Sequence, residues 1–346
     1  MSIVVSKSLL KFESKFLERV KVWARQWKHI FYGLKSNILS LIGVAIIVFF
    51  ILIALLAPLL APPVPGQDPY ICPYDGPLDP GWVNPPPYPP SPEHLFGTMD
   101  GFDIYYGCIW GARIAFYIGL LTILVEVIVG LFVGSIAGYY GGLIDDVLMQ
   151  VTDIFFAFPS ILLAMIVIVV LPSEWSLNLG LFSISLALSD LEKLAFSMAV
   201  AGWPFYTRLI RGEIIKVKSE DYVEAAKAIG CSSARITTRH ILPNAIYPLL
   251  IMVFLDFGGV TLIAATLSFL GFGLGPQEGY INWNGYAEWG TMISGSRNYL
   301  FAYQQEPFKW IFTFLYPFLF IFAFVLGWSL VGDALRNILD PTLRGR

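Results

Sequence analysis

Residues 38–60 form an apolar run without a single charged side chain. At about 1.5 Å per helical residue, such a run crosses a hydrocarbon core roughly 30 Å thick. Further apolar runs follow at about 114–138, 154–171, 194–210, 246–270 and 310–331; Asp190, Glu192 and Lys193 crowd the start of the fourth of the six. With 56% hydrophobic and only 14% charged residues, a chain of 346 residues is too apolar to be soluble. The expected fold class is an all-α polytopic membrane protein with six transmembrane helices.

The charges orient these spans. Lys7, Lys11, Lys15, Arg19, Lys21, Arg25, Lys28 and Lys35 precede the first run, whereas residues 61–112 hold no Lys or Arg and six acids: Asp68, Asp75, Asp79, Glu93, Asp100 and Asp103. The positive-inside rule therefore puts residues 1–37 in the cytoplasm and 61–112 outside. Alternation returns 208–245 to the inside, where Arg208, Arg211, Lys216, Lys218, Lys227, Arg235 and Arg239 lie, and leaves Arg336, Arg344 and Arg346 inside as well. Both termini are thus expected in the cytoplasm of a multi-pass cell-membrane protein. The domain reading is a basic segment 1–37, a first span 38–60, an external loop 61–112, a five-helix core 113–332 and a tail 333–346.

The first span follows a 37-residue charged lead and ends in Ala61-Pro62-Pro63 in place of a small-residue cleavage site, so it is not expected to be a cleaved signal peptide. Basic residues at Lys7, Lys11, Lys15 and Arg19, with Leu10, Phe16, Leu17 and Val20 between them, fit either a helix on anionic lipid or a solvated tail. Thirteen prolines between Pro62 and Pro92 make the external loop extended, since proline donates no backbone hydrogen bond. Of the three cysteines, Cys72 and Cys108 fall outside and could pair, while Cys231 falls inside. Trp203-Pro204 is expected to kink the fourth span as it reaches the cytoplasm.

Within the inner loop, residues 219–243 are polar, helix-forming and bounded by apolar segments. Ser219 can cap a helix whose first turn carries Glu220 and Asp221. Tyr222, Ala225, Ala226 and Ile229 recur at helical spacing as a small-sided face, with Glu224 and Lys227 off it. Gly230 is placed to end that helix, and Ser232 or Ser233 to start the next. Spacing alone leaves two readings open: a docking helix for a partner, or a surface helix packed on its own chain.

Several chemistries are excluded. No Gly-Lys dipeptide exists, so there is no Walker A phosphate loop, and neither G-x-S-x-G nor H-E-x-x-H occurs. His29, His94 and His240 are too scattered for a metal site. Glu126 and Asp256 are the acids inside probable spans, which makes them candidates for the translocation path. An ion-coupled secondary transporter is the rival they raise, opposed by the absence of internal repeats and the low span count.

Longer motifs resemble one family. His94-Leu95-Phe96-Gly97-Thr98-Met99-Asp100, Gly111-Ala112-Arg113-Ile114, Gly138-Tyr139-Tyr140-Gly141-Gly142 through Asp153 to Phe158-Pro159-Ser160, and Glu224-Ala225-Ala226 with Gly230 and His240 to Pro243 are similar to permease subunits of dipeptide and oligopeptide ABC importers. Leu267 to Gly273, Glu288 to Met292, and Gly332 to Arg336 followed by Leu339-Asp340-Pro341 extend the resemblance over about 94–346. It departs at Phe102, where that family usually has an arginine, and at Ala264, where many relatives have glutamate. The stretch 172–193 is also longer and more polar than the family leads one to expect.

This resemblance implies a type I ABC importer permease fold with a cytoplasmic coupling helix. It implies coupling to an ATPase through Tyr222, Glu224, Ala225, Ala226, Ile229, Gly230, His240, Leu242 and Pro243. It also implies a homologous second permease, two ABC ATPase subunits that hold the ATP and Mg, an extracellular solute-binding protein, and no nucleic acid. The chain itself would be non-catalytic and without cofactor, importing peptides or, on the same fold, oligosaccharides.

Overall fold

The computed structural model describes residues 33–35, 37–75, 86–178, 183–273, 285–302 and 308–339. The basic repeat at 7–20, Pro77, Pro80 and Pro85, and the terminal Asp340 to Arg346 lie outside these residues.

Helix α1, Ile38–Leu60, begins where the Asn37 side chain accepts a hydrogen bond from the Leu39 amide at 2.9 Å. Helix α2, Ile104–Tyr140, is 37 residues long and starts ten residues before the apolar run at 114. Residues 104–112 are therefore helix, not external loop, because Asp103 accepts from the Tyr106 amide and caps the helix there. The third apolar run is not one straight span. Helices α3, Gly142–Phe156, and α4, Ser160–Val170, meet at an 88° bend. Pro159 stands at that break and cannot donate to the preceding turn.

Helix α5, Asp190–Lys218, opens with a capping box in which Ser189 and Glu192 satisfy each other's backbone amides. It is continuous through Pro204. The short helices α6, Asp221–Ala228, and α7, Ser233–Ile236, then lead through a π-helical turn, Thr237–Ile241, into α8, Leu242–Leu267. A second π turn, Ser268–Phe272, is followed by α9, Trp289–Ala302, and α10, Ile311–Leu339.

By length and hydropathy, α1, α2, α8 with its π turn, and α10 can each cross a membrane, and the bent α3–α4 pair makes a fifth if it counts as one span. Helix α5, at 29 residues, is long enough but carries charges at both ends.

The all-α expectation needs one correction. Strands β1, Thr98–Met99, and β2, Phe102–Asp103, form a small antiparallel pair just before α2. Strands β3, Glu174–Asn178, and β4, Ser183–Ala187, form another, with Glu174 opposite Ala187, in the polar stretch before α5. Ser176, Ser183 and Ser185 alternate there with Leu177, Ile184 and Leu186, the two-residue period of a strand.

Two hydrophobic clusters organise the helices. The larger surrounds Phe50 of α1, whose ring meets Trp289 and Phe324 edge to face at 5.8 and 5.2 Å. The smaller runs from Tyr206, Ile210 and Ile214 of α5 to Val223, Ala226 and Ile241. The most extensive helix pair is α2 with α5. Its closeness comes from Gly130, Gly134 and Gly138, spaced four apart, which let α5 approach the α2 backbone. A Cβ at Gly134 would lie 2.6 Å from the Thr207 carbonyl oxygen, and one at Gly138 2.9 Å from that of Arg211.

The proline-rich segment between α1 and α2 folds onto the helix ends. Trp110 Nε1 donates to the Ala61 carbonyl at 2.9 Å, and Trp289 Nε1 to that of Cys108 at 3.1 Å. Cys72 and Cys108 are buried free thiols, so the pairing considered for them is not formed. Phe102, where the family usually has an arginine, packs edge to face on Tyr74 at 5.3 Å.

Candidate functional site: a surface helix and a buried acid pair

Helix α5 delivers the chain to α6 through a well-defined junction. Ser219 closes α5, its hydroxyl donating to the Lys216 carbonyl at 2.8 Å. It does not cap α6, as its position suggested; Glu220, in extended conformation and without a side-chain hydrogen bond, occupies the cap position. Gly230, at φ +81°, ends α6. Its amide donates to Lys227 O at 2.9 Å and the Cys231 amide to Ala226 O at 3.1 Å, the paired bonds of a Schellman turn. That conformation is open to glycine and strained for other residues.

The faces of α6 separate differently from the sequence grouping. Val223 and Ala226 are buried against the smaller cluster and anchor the helix to its own chain. Tyr222, Glu224, Ala225 and Ile229 face outward, Ile229 being 81% exposed. Ala226 therefore belongs to the anchoring face, because a helix on a core must spend its smallest side chains at the closest approach. Asn244 of α8 ties the two halves together: its Nδ2 donates to the His240 carbonyl at 2.7 Å and to Tyr222 Oη at 3.1 Å. His240 and Leu242 are half-buried and Pro243 is exposed in the first turn of α8.

Behind this surface, charged side chains fasten α3 to α5. Arg211 binds Asp145 with both ends of its fork, and Arg208 pairs with Asp153 at 2.5 Å while its guanidinium lies 3.9 Å from the Phe156 ring centre. Lys218 donates to the Tyr139 carbonyl. Sequence reasoning noted the acids only as part of a turn; the i, i+3 spacing of Arg208 and Arg211 on one helix face was the signal for their partners.

Glu126 and Asp256 are brought together, although 130 positions apart in sequence. Both line one cavity, and Tyr206 Oη donates to Asp256 Oδ2 at 2.8 Å. Glu126 is 3% exposed, and its Oε2 has no hydrogen-bond partner. Glycine at 202 makes room for it, since a Cβ there would lie 1.8 Å from Glu126 Oε1. Tyr206 and Gly202 were missed in the sequence, where Tyr206 appeared only as a neighbour of Pro204.

Residues 130–345, which contain α6, the Arg–Asp pairs and Asp256, match the model of the binding-protein-dependent transport system inner membrane component. The chain belongs to that family. Residues 25–77 of the permease also match the N-terminal transmembrane domain of oligopeptide transport permease C. The permease is 35% identical over 322 residues to the dipeptide transport system permease protein DppC of Alkalihalophilus pseudofirmus, covering 92% of this chain and 90% of that one. It is 34% identical over 319 residues to the oligopeptide transport system permease protein OppC of Bacillus subtilis, again covering 92% and 90%. A probable D,D-dipeptide transport system permease protein, DdpC of Escherichia coli K12, is 32% identical over 259 residues, covering 75% of this chain and 76% of its own. The permease is thus a non-catalytic, multi-pass inner-membrane subunit of a transport system.

Proposed function

We propose that this permease is one half of a peptide importer's membrane channel, paired with a homologous permease and driven by two ABC ATPases that bind the ATP and Mg. An extracellular solute-binding protein supplies the peptide. Six spans, formed by α1, α2, the bent α3–α4 pair, α5, α8 and α10, leave both termini in the cytoplasm on the side where basic residues concentrate. The names of the relatives support peptides as cargo.

The observation that carries the coupling assignment is the two-sidedness of α6. Val223 and Ala226 lock the helix to the α5 and α8 core, while Tyr222, Ala225 and Ile229 are left for another surface. A rigid helix so held passes a push from a docked ATPase directly into α5 and α8, which carry Tyr206 and Asp256. His240, Leu242 and Pro243 complete that surface at the entry to α8, and Gly230 fixes its turn.

The test is a cysteine at Ala225 in the complete transporter, crosslinked to an engineered ATPase cysteine with and without nucleotide. A nucleotide-dependent crosslink, with ATP-driven peptide uptake in proteoliposomes, is expected. Intact uptake with no crosslink at Ala225 or Ile229 overturns the docking surface. Uptake that collapses with an uncoupler while ATP is maintained overturns the ATP-driven reading.

A further inference from the structure

Glu126 of α2, Tyr206 of α5 and Asp256 of α8 converge beside a cavity of about 220 Å³. Phe156, Ala164, Met198, Phe205 and Val260 make most of its wall, and Ser160, at the α3–α4 bend, adds a hydroxyl. That volume is several times the roughly 30 Å³ of a water molecule, so the space admits a small organic group.

The charge balance of this cavity is incomplete. Two carboxyl groups on the wall of one cavity repel each other as anions, and with one proton between them the pair keeps one negative charge. No Lys, Arg or His lines the cavity among the described residues. Arg208, stacked on the Phe156 ring, is already paired with Asp153. Tyr206 contributes a donor to Asp256 but no charge, and Glu126 Oε2 is left buried with no partner. A buried, uncompensated charge inside a bilayer is strongly unfavourable, and it is removed either by a second proton or by a bound cation that takes the proton's place.

The donor set selects the kind of cation. Calcium and magnesium take six or more oxygens, many from water, whereas most of this wall is hydrocarbon. Among the described residues, no group of three acidic, histidine or cysteine side chains is placed to hold a metal. An ammonium group offers three N–H donors on a carbon stem. Its donors match the two carboxyls and the Ser160 hydroxyl, and the stem matches Phe156, Met198 and Phe205.

We propose that Glu126 and Asp256 form a binding site for a protonated primary amine, with Glu126 Oε2 accepting one of its N–H donors. Resting on the transport reading above, the occupant during turnover is the N-terminal ammonium of the passing peptide.

The experiment uses the complete transporter in nanodiscs, titrated with 4-fluorobenzylamine and with 4-fluorobenzyl alcohol and read by fluorine NMR. Saturable binding of the amine is expected, with the alcohol at least about tenfold weaker. E126Q should weaken the amine by a similar factor, while E126D, which keeps the charge, retains most of it. Equal binding of amine and alcohol by the wild type overturns the proposal, and that comparison stands even if E126Q fails to assemble. Unchanged amine binding by E126Q overturns it as well. Competition by Ala-Ala but not by N-acetyl-Ala-Ala supports the peptide terminus as occupant. Amine binding that neither peptide displaces overturns that occupant alone, since ATP-driven uptake is decided separately in proteoliposomes.

Discussion

Arg211 holds Asp145 through two parallel contacts, Nε to Oδ1 at 2.5 Å and Nη2 to Oδ2 at 2.6 Å. The pair joins α3, the first arm of the bent helix pair, to the last turns of α5, seven residues before Lys218 ends that helix. On the proposed coupling, the pair ties α3 to any movement of α5. Removing Asp145 as D145N should destabilise the permease by about 1–2 kcal/mol, because both side chains are partly shielded and a charge-assisted fork is lost. R211K keeps the charge but not the planar fork, so it should recover only part of that loss. Thermal unfolding of the purified transporter gives the comparison; a D145N midpoint equal to wild type would show that the fork contributes nothing.

The glycine stripe gives a sharper contrast. Gly134 faces the α5 backbone, so G134L forces apart the most extensive helix pair and should prevent recovery of folded protein, beyond the roughly 1–3 kcal/mol of ordinary overpacking. At Gly212 an added Cβ meets nothing within 4 Å, and G212A should be tolerated. Size-exclusion profiles after extraction distinguish the two. Equal recovery of both variants would mean that the approach of α2 to α5 does not depend on the stripe.

The sequence was most legible where one span follows from one run of apolar residues. Ile38–Leu60 coincides with its run because Asn37 caps one end and Ala61 with Pro62 closes the other. It was least legible where a long-range contact decides. The 88° bend at Pro159 was hidden inside a continuous apolar stretch, and the β3–β4 pair inside polar residues read as a span boundary. Within α6, periodicity grouped Ala226 with Tyr222, Ala225 and Ile229, but only the position of α5 and α8 decides which arc is covered. Glu126 and Asp256 were visible as acids in apolar runs; their contact depends on how α2, α5 and α8 cross, to which no local pattern speaks.

Glu288 offers a pH test at the start of α9. Its buried carboxylate accepts from the Gly290 and Thr291 amides at 2.9 and 2.8 Å, holding the first turn of α9. Burial pushes its pKa above the usual carboxylate value, against the pull of those two amides. The folded state thus binds this proton more tightly than the unfolded one. The resulting stability is fully present below the unfolded value of about 4.3 and is lost as pH rises through the folded value. E288Q removes the titration, so the wild-type midpoint minus the E288Q midpoint should fall as pH increases from 4. A difference independent of pH would place the proton elsewhere.

The three cysteines report on α6 without engineering. Cys72 and Cys108 are buried, and burial pushes the Cys72 thiol up, which leaves little reactive thiolate. Cys231 is only partly buried and follows Gly230 at the end of α6, next to the exposed Ile229. Maleimide should therefore label one site in the native isolated permease and all three after denaturation. Assembly with the ATPases should slow the Cys231 reaction severalfold if they cover Ile229, since both residues lie at the same end of the helix. Labelling of Cys231 at the same rate in the isolated and assembled forms would remove the end of α6 from the docking surface and shift it toward Tyr222 and Glu224.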